Sequence, residues 1–563
     1  MEEPIQQSTE PERAEVAGKV PPPSGGAVTI AAGILLSRVI GLLRERAIAY
    51  YFGLGPYADV LRMALRAPNI LQNLLGEGTL SAAFIPIYSR LIEEGKREEA
   101  GRFAGAIFGL LTAAAAVLSL LGVLLARPIV AVLARGFLGD TGGVDRFELT
   151  VTTTRIIFPM TGFLVLSVWA LGVLNSHRRF FLPYFAPVIW NSSIIGALIW
   201  AGGLGRGGTD LERLLFAACW GALAGGLLQF LIQLPGVARV LRGFRLSFST
   251  RVPGVKEALA AFGPVVAGRG VVQLSGYLDV FLASYLVPGA LAALSAGQML
   301  YTLPISLFGM SVAAAELPEL SRLQQGGGGS DALIVRIRRS LRQMAFLNVP
   351  TFLGYLAFGF LLVAALNRTG RFGLAETWLV YLVLFGYTLG LLASTSSRLL
   401  QNTFYALGET RAPARIAATR VGLSAALGIP LMLALDRIPV VALAGADAGR
   451  SGLRLGAVGL ALASGAGSWF ELLRLRAALM RRIPELRLPW RETGRLLLLA
   501  AGASLPAALL WAVLPPLHPL LLAPLVLAPF ALVYLGLARI LAPEELAFWV
   551  GRFGRRLRRS PEP

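Results

Sequence analysis

Apolar segments of about twenty residues recur along the chain from residue 28 onward, and each is long enough to cross a hydrocarbon core about 30 Å thick. The pattern predicts an all-α integral membrane protein with about fourteen transmembrane helices. The predicted helices cover residues 28–51, 57–90, 100–126, 149–175, 184–203, 213–235, 257–286, 290–317, 340–366, 376–404, 411–435, 454–478, 494–514 and 519–541.

Composition agrees with this interpretation. Hydrophobic residues make up 55% of the chain and charged residues only 15%, and the mean hydropathy is +0.66. Soluble globular proteins carry about 25% charged residues. Little of the chain is left for a soluble catalytic domain, so an enzyme such as a membrane glycosyltransferase is not expected. Residues 1–27 are polar and proline-rich, unlike a signal peptide, and are predicted to form a disordered cytoplasmic tail.

The formal charge of +20 comes from arginines that gather in alternate loops, as the positive-inside rule requires. The charge therefore indicates topology rather than nucleic-acid binding, and both termini are expected in the cytoplasm. The single cysteine, Cys219, and the distant His177 and His518 predict neither a disulfide nor a metal site. At 322–342 a glycine run followed by a basic amphipathic segment predicts an interfacial connector between two halves.

Arginines lie inside the first predicted helix, where charge is costly unless it faces a cavity or a partner. Arg38 is central in an apolar span, and Arg44 lies nearer the end of that span. At about 100° per residue, Ser37 shares a face with Arg44, whereas Arg38 lies roughly 120° away. The helix must therefore present polar groups over a wide sector.

Two further helices carry charge. Asp59, Arg62 and Arg66 form one stripe on the second helix, and Glu77 follows between two glycines. The seventh helix contains an arginine flanked by glycines, a glutamine one turn later and an aspartate: Arg269, Gln273 and Asp279. Guanidinium groups bind phosphates through forked hydrogen bonds, most strongly where water is scarce. These helices predict an anionic ligand in a cationic, membrane-embedded cavity.

Several segments carry a resemblance to a known family. They read LLSRVIGLLRE (35–45), RAPNILQNLLGEGTLSAAFIPIYS (66–89), RRFFLPYFAPVIWN (178–191), YTLPISLFGMSVAAAELPELS (301–321) and FYALGETRAP (404–413). In these segments the chain resembles the MurJ (MviN) lipid II flippase family of the MOP transporter superfamily, in consistent order over about residues 28–540.

The resemblance implies an alternating-access transporter with two six-helix lobes around a central cationic cavity, plus two C-terminal helices. The implied divisions are a tail at 1–27, an N-lobe at 28–241, a C-lobe at 242–480, a lipid-facing groove at 481–545 and a basic cytoplasmic tail at 546–563. The implied cargo is lipid II, an undecaprenyl-pyrophosphate-linked disaccharide pentapeptide, moved across the bacterial inner membrane for peptidoglycan synthesis.

Functional positions of the family match Arg38, Arg44, Asp59 and Glu77, and motif neighbours match Ser37 and Asn69. Other positions depart from the family pattern. Gln72, Asn73 and Met299 stand where relatives carry arginines, while Arg62 and Arg269 are additional charges. We hypothesise that these two arginines replace the missing ones.

The expected substrate-binding set is therefore Ser37, Arg38, Arg44, Asp59, Arg62, Asn69, Glu77, Arg269 and Gln273. No catalytic residue, metal or cofactor is expected, and the phospholipid bilayer is the other partner. The chain lacks a GxxxxGK[ST] nucleotide loop, so the expected energy source is the membrane potential or a monovalent ion. The alternatives are a flippase for another polyprenyl-linked oligosaccharide, such as an O-antigen or exopolysaccharide unit, and a drug antiporter of the same superfamily.

Overall fold

The computed structural model describes residues 26–75, 80, 83–139, 143–203, 210–325, 330–444 and 452–557. Apart from two isolated bridges, the regular structure within these ranges is helical. The predicted N-terminal tail lies outside the described residues except for its last two positions, which begin the first helix.

Nine helices form the first half of the described chain. They are α1 (Gly26–Phe52), α2 (Pro56–Leu75), α3 (Ile85–Glu93), α4 (Arg97–Leu124), α5 (Ala126–Leu133), α6 (Arg146–Ser176), α7 (Phe181–Gly202), α8 (Leu211–Leu231) and α9 (Leu234–Val240). Helices α1, α2, α4, α6, α7 and α8 pack against one another as the first lobe.

The second half begins after an extended segment. Its helices are α10 (Val255–Ala283), α11 (Ala290–Pro304), α12 (Met310–Gln325), α13 (Ser330–Asn367), α14 (Leu374–Thr388), α15 (Leu391–Ala406), α16 (Arg411–Leu435), α17 (Val441–Ala444), α18 (Gly456–Met480), α19 (Trp490–Val513), α20 (Pro519–Leu541) and α21 (Pro543–Leu557). Helices α11 to α16 and α18 pack together as the second lobe, and α19 and α20 pack on α13.

Ten of the described helical spans are long and apolar enough to cross a membrane, and the pair α14 and α15, bent by 42°, makes an eleventh. Helices α1, α2 and α10, of 27, 20 and 29 residues, carry the intramembrane arginines. With these three the structure accounts for the spans expected from hydropathy, and most boundaries differ from the expected ones by only a few residues.

Two segments differ from the expectation. The amphipathic segment after the glycine run is not a separate interfacial helix, because no glycine or proline interrupts residues 330–349 and α13 continues directly into the ninth span. The expected basic tail is helical as far as Leu557. Helix α21 docks on α13, where Arg342 pairs with Glu545 at 2.5 Å and the Trp549 indole donates to the Gln343 carbonyl at 3.2 Å.

The segment that connects the two lobes lies along one face of α4. Gly101, Gly105 and Gly109 form this face, and a Cβ atom added at any of them would collide with a backbone carbonyl of residues 242–247. Small residues let two backbones approach closely in a membrane protein. The glycine face therefore fixes the path of the chain between the lobes.

We expect Gly105→Ala to destabilise the protein by about 1–3 kcal/mol, because the added methyl group overpacks a backbone contact that cannot move aside. Unfolding can be followed with a thiol-reactive dye, since Cys219 is the only cysteine and is fully buried. The matched control is Gly196→Ala on α7, where a Cβ atom would meet nothing within 4 Å. Equal melting temperatures for the two variants would contradict the predicted contact.

Candidate functional site

Arg38 on α1 reaches across to the second lobe. Its Nη1 atom donates a hydrogen bond to the Ser306 hydroxyl at 3.4 Å. Ser306 lies in a π-helical turn, Ile305–Gly309, that directly follows Pro304. Proline has no backbone N–H, so the regular hydrogen-bond ladder is interrupted there, and π-turns of this kind are frequent at functional sites. Ser37, the neighbour of Arg38, is half-buried.

A cluster of three charges lies nearly two turns further along α1, where Arg44 and Glu45 meet Arg62 of α2. The buried Glu45 carboxylate accepts a hydrogen bond from Arg44 Nη2 at 2.5 Å and another from the Arg62 guanidinium of α2. The Arg44 guanidinium also lies 5.0 Å from the centroid of the Trp190 ring on α7. Glu45 was not among the site residues expected from the sequence, but in the structure it holds both arginines.

Asp59 does not pair with the arginines of its own stripe. Its Oδ2 atom accepts hydrogen bonds from Arg146 Nη1 at 3.2 Å and from the Gly289 backbone N–H at 2.7 Å, and its Oδ1 atom accepts from the Ala292 N–H at 2.8 Å. The Asp59 side chain is wholly buried. A carboxylate at these N–H groups caps the N-terminus of α11 and complements the helix dipole. A side chain of the first lobe thus caps a helix of the second.

Arg146 was missed by sequence analysis, because it is the first residue of α6 and reads as an ordinary loop charge. Its side chain is only 3% exposed, and its guanidinium lies 4.3 Å from the centroid of the Phe137 ring. The partner of Asp59 lies 87 positions away along the chain, so no local pattern could identify it.

Other contacts join the lobes on the side of the helix bundle that contains the turn at residues 53–55. We call this side the closed face. Arg46 Nη1 donates to the carbonyls of Ala365 and Leu366 at 2.7 and 3.1 Å, at the C-terminal end of α13. The Arg371 backbone N–H donates to the Tyr50 carbonyl at 3.0 Å. Together with the Asp59 cap, these bonds hold the closed face shut.

Arg66 is a cation that sequence analysis did not include in the binding set. Its Nη1 atom donates to Gln298 Oε1 at 3.2 Å, directly beside Met299. The family resemblance implied an arginine at the position of Met299. The hypothesis named Arg62 and Arg269 as replacements, and it stays a prediction because the Arg269 side chain lies outside the described residues. Arg62 is held by Glu45, and Arg66 is a described cation that reaches this part of α11.

The remaining residues of the expected binding set are Asn69, Glu77, Arg269 and Gln273. Asn69 is half-buried on α2 after Pro68. Glu77 lies outside the described residues, as do the side chains of Arg269 and Gln273 on α10.

An apolar cavity lies beside the charged cluster. It has a volume of about 560 Å³ between α1, α11, α13 and α20, with Phe530 and Tyr534 of α20 in its wall. Leu42, Leu300 and Leu366 line both this cavity and the small space around Glu45 and Arg62. Of the two C-terminal helices, only α20 contributes described residues to this wall.

Comparison with known proteins assigns the chain to one protein family. The family model described as "Lipid II flippase MurJ" matches residues 48–519. The chain is 32% identical over 459 residues to "Lipid II flippase MurJ" of Burkholderia cenocepacia, covering 81% of this chain and 83% of that protein. It is 31% identical over 500 residues to "Probable lipid II flippase MurJ" of Rhizobium meliloti, covering 86% and 87%.

Solved structures show the same fold. "Lipid II flippase MurJ, inward closed conformation" has a TM-score of 0.67 at 19% identity and covers 92% of this chain and 100% of that one. An inward-facing multidrug resistance MATE transporter of the MOP superfamily has a TM-score of 0.60 at 15% identity and covers 82% and 98%.

We expect Asp59→Asn to destabilise the protein by about 3–5 kcal/mol, because the buried Arg146 guanidinium loses its counter-charge. The measurement is the melting temperature followed through Cys219. Replacing both charges, as Asp59→Asn with Arg146→Met, should recover part of this loss, since no unpaired charge then remains buried. If the double variant is as unstable as the sum of the single variants, the two residues are not coupled as the structure indicates.

Proposed function

The chain belongs to the MurJ family of lipid II flippases, and from this premise we propose how its own residues move lipid II across the bacterial inner membrane. The observation that carries the proposal is the adjacency of an arginine cluster and an apolar cavity that share three leucines, Leu42, Leu300 and Leu366. A molecule with an anionic head group and a long apolar tail fits this arrangement. Its two parts would bind side by side.

The head group binds at the arginines of α1. Arg38 and Arg44 engage the pyrophosphate, since guanidinium groups form forked, charge-assisted hydrogen bonds with phosphate oxygens. The Nε atoms of Arg44 and Arg62 are buried without an acceptor among the described residues. A buried N–H without an acceptor is costly, so these donors favour an anionic ligand. Glu45 holds the two guanidinium groups in place until the ligand arrives.

The polyprenyl tail occupies the apolar cavity and extends into the bilayer along α20. The cavity wall is almost entirely carbon, including the Phe530 and Tyr534 rings. Because the tail passes from lipid hydrocarbon into a carbon-lined cavity, it gains no hydrophobic transfer energy there, and van der Waals packing against the cavity wall positions it. The tail need never cross a polar region while the head group moves.

Transport proceeds by alternating access between the lobes. In this proposal the closed face is periplasmic and both termini are cytoplasmic, so the cavity loads from the cytoplasmic leaflet. The Asp59 cap on α11 and the Arg46 bonds to the end of α13 keep the periplasmic side shut during loading. Opening that side requires Asp59 to release the Gly289 and Ala292 N–H groups.

The membrane potential drives the outward step. An inside-negative potential of 100 mV favours the outward movement of one negative charge by about 2.3 kcal/mol, and pyrophosphate carries more than one charge. An additional monovalent ion would act through the same cavity charges.

We expect the wild-type chain to restore growth of a bacterium depleted of its own lipid II flippase. Arg38→Gln should abolish rescue, because it removes the guanidinium from the head-group site, while Arg38→Lys should keep a fraction of it. Arg179→Gln, at a loop arginine with no contact to the cavity, is the matched control.

The wild type and the three variants must be present in the membrane at equal levels for this comparison. Mass spectrometry of lipid that co-purifies with the wild type identifies the cargo directly. Recovery of a different polyprenyl-linked sugar, together with failure to rescue, would overturn the lipid II assignment.

In vesicles that contain the purified protein, a potassium diffusion potential should move fluorescent lipid II toward the positive side. Each transported charge should change the equilibrium ratio by up to about 50-fold per 100 mV, as 2.3 kcal/mol implies. Vesicles of zero potential provide the control. A leaflet distribution that does not respond to the sign of the potential would exclude this driving force.

A further inference from the structure

A polar cavity of about 250 Å³ lies within the second lobe, between α10, α11, α15, α16 and α18. Two arginines, Arg398 of α15 and Arg420 of α16, line it together with several hydroxyl groups. Among the described residues, the Tyr387 and Ser424 hydroxyls in its wall are buried without a hydrogen-bond partner. A buried polar group of this kind needs explaining, and an absent ligand is one explanation.

Arg420 is held in place by a buried network. Glu471 of α18, only 3% exposed, accepts a hydrogen bond from Arg420 Nη1 at 2.9 Å and another from Gln401 Nε2 at 2.7 Å. A guanidinium has five N–H donors, so this pairing leaves others for a second oxyanion. Glu471 thus positions Arg420 and leaves some of its N–H donors for a ligand.

Arg398 is different, because it is exposed and forms no hydrogen bond or ion pair with another described residue. A charged side chain in the midst of a membrane lobe is tolerated where it faces a water-filled cavity, and such residues mark substrate pathways. Arg398 is therefore a cation available to a ligand.

The mouth of this cavity adjoins the head-group site. Gln298 and Ser306 line the cavity, and they are the same residues that accept hydrogen bonds from Arg66 and Arg38 of the first lobe. Arginines therefore lie both at the mouth and in the wall. Among the described residues, Asp279 and Glu471 are the nearby carboxylates, and they are fewer than the four arginines.

We propose that this cavity is a second anion subsite, in which Arg398 and Arg420 bind oxyanions of the cargo's head group by forked hydrogen bonds. The inference rests on the proposed function and adds a specificity site in the second lobe. A peptide carboxylate and a diphosphate have the same oxyanion chemistry, and either could be the group that binds. The unpartnered hydroxyls suit the sugar and amide groups next to such an anion.

The test measures affinities of the purified full-length chain, in detergent, for two probes: lipid II, and undecaprenyl diphosphate, which has no sugar or peptide. Arg398→Gln should weaken binding of lipid II about tenfold, the effect of losing one charge-assisted interaction. Arg398→Lys should recover part of the affinity. Because Arg398 has no described partner, its loss should leave the fold intact, and melting temperatures check this.

Arg415→Gln is the matched control, since Arg415 is exposed on the same helix as Arg420 and does not line the cavity. A loss confined to lipid II identifies the peptide carboxylates as the bound group, and a loss for both probes identifies the diphosphate. Unchanged affinity of Arg398→Gln for both probes overturns the subsite. If the wild type binds neither probe, the proposed function itself fails, which is a distinct outcome.

Discussion

The closed face depends on one fully buried carboxylate. Asp59 receives two backbone N–H groups at the start of α11 and the Arg146 guanidinium, so its charge is compensated on every side that the described residues show. Such a group cannot move partway out of its site without exposing an uncompensated charge to apolar surroundings. In the proposed transport cycle, separation of the lobes would therefore be a switch between two arrangements rather than a gradual opening.

The same constraint explains why the arginines of α1 and α2 lie together. Each buried guanidinium needs an acceptor, and Glu45 supplies one to two of them at once. One carboxylate cannot neutralise two cations, so a positive charge remains beside the apolar cavity. The remaining charge and the adjacent carbon wall together favour a ligand that is both anionic and amphiphilic.

Hydropathy sufficed to predict the helices, because a twenty-residue apolar span has few alternative structures in lipid. It also identified Arg38, Arg44 and Asp59 as residues that must face a partner. The partners themselves were not predictable: helix packing within the first lobe brings Arg146 to Asp59, and the packing of the two lobes brings Ser306 to Arg38. Asp59 and Arg62 lie on one helix, as their spacing indicated, but the long Arg62 side chain reaches across to Glu45 of α1, whereas Asp59 pairs with Arg146.

Cavity charge depends on where side chains end, not on where their backbones lie. The family resemblance implied an arginine at the position of Met299, on α11, whereas the neighbouring Gln298 accepts a hydrogen bond from Arg66 of α2. The cation therefore reaches the same region from the opposite lobe. This origin matters, because a charge on α11 would move with the second lobe, while Arg66 moves with the first. Opening the closed face would then carry Arg66 away from Gln298 and change the charge at the mouth of the second-lobe cavity during the transport cycle.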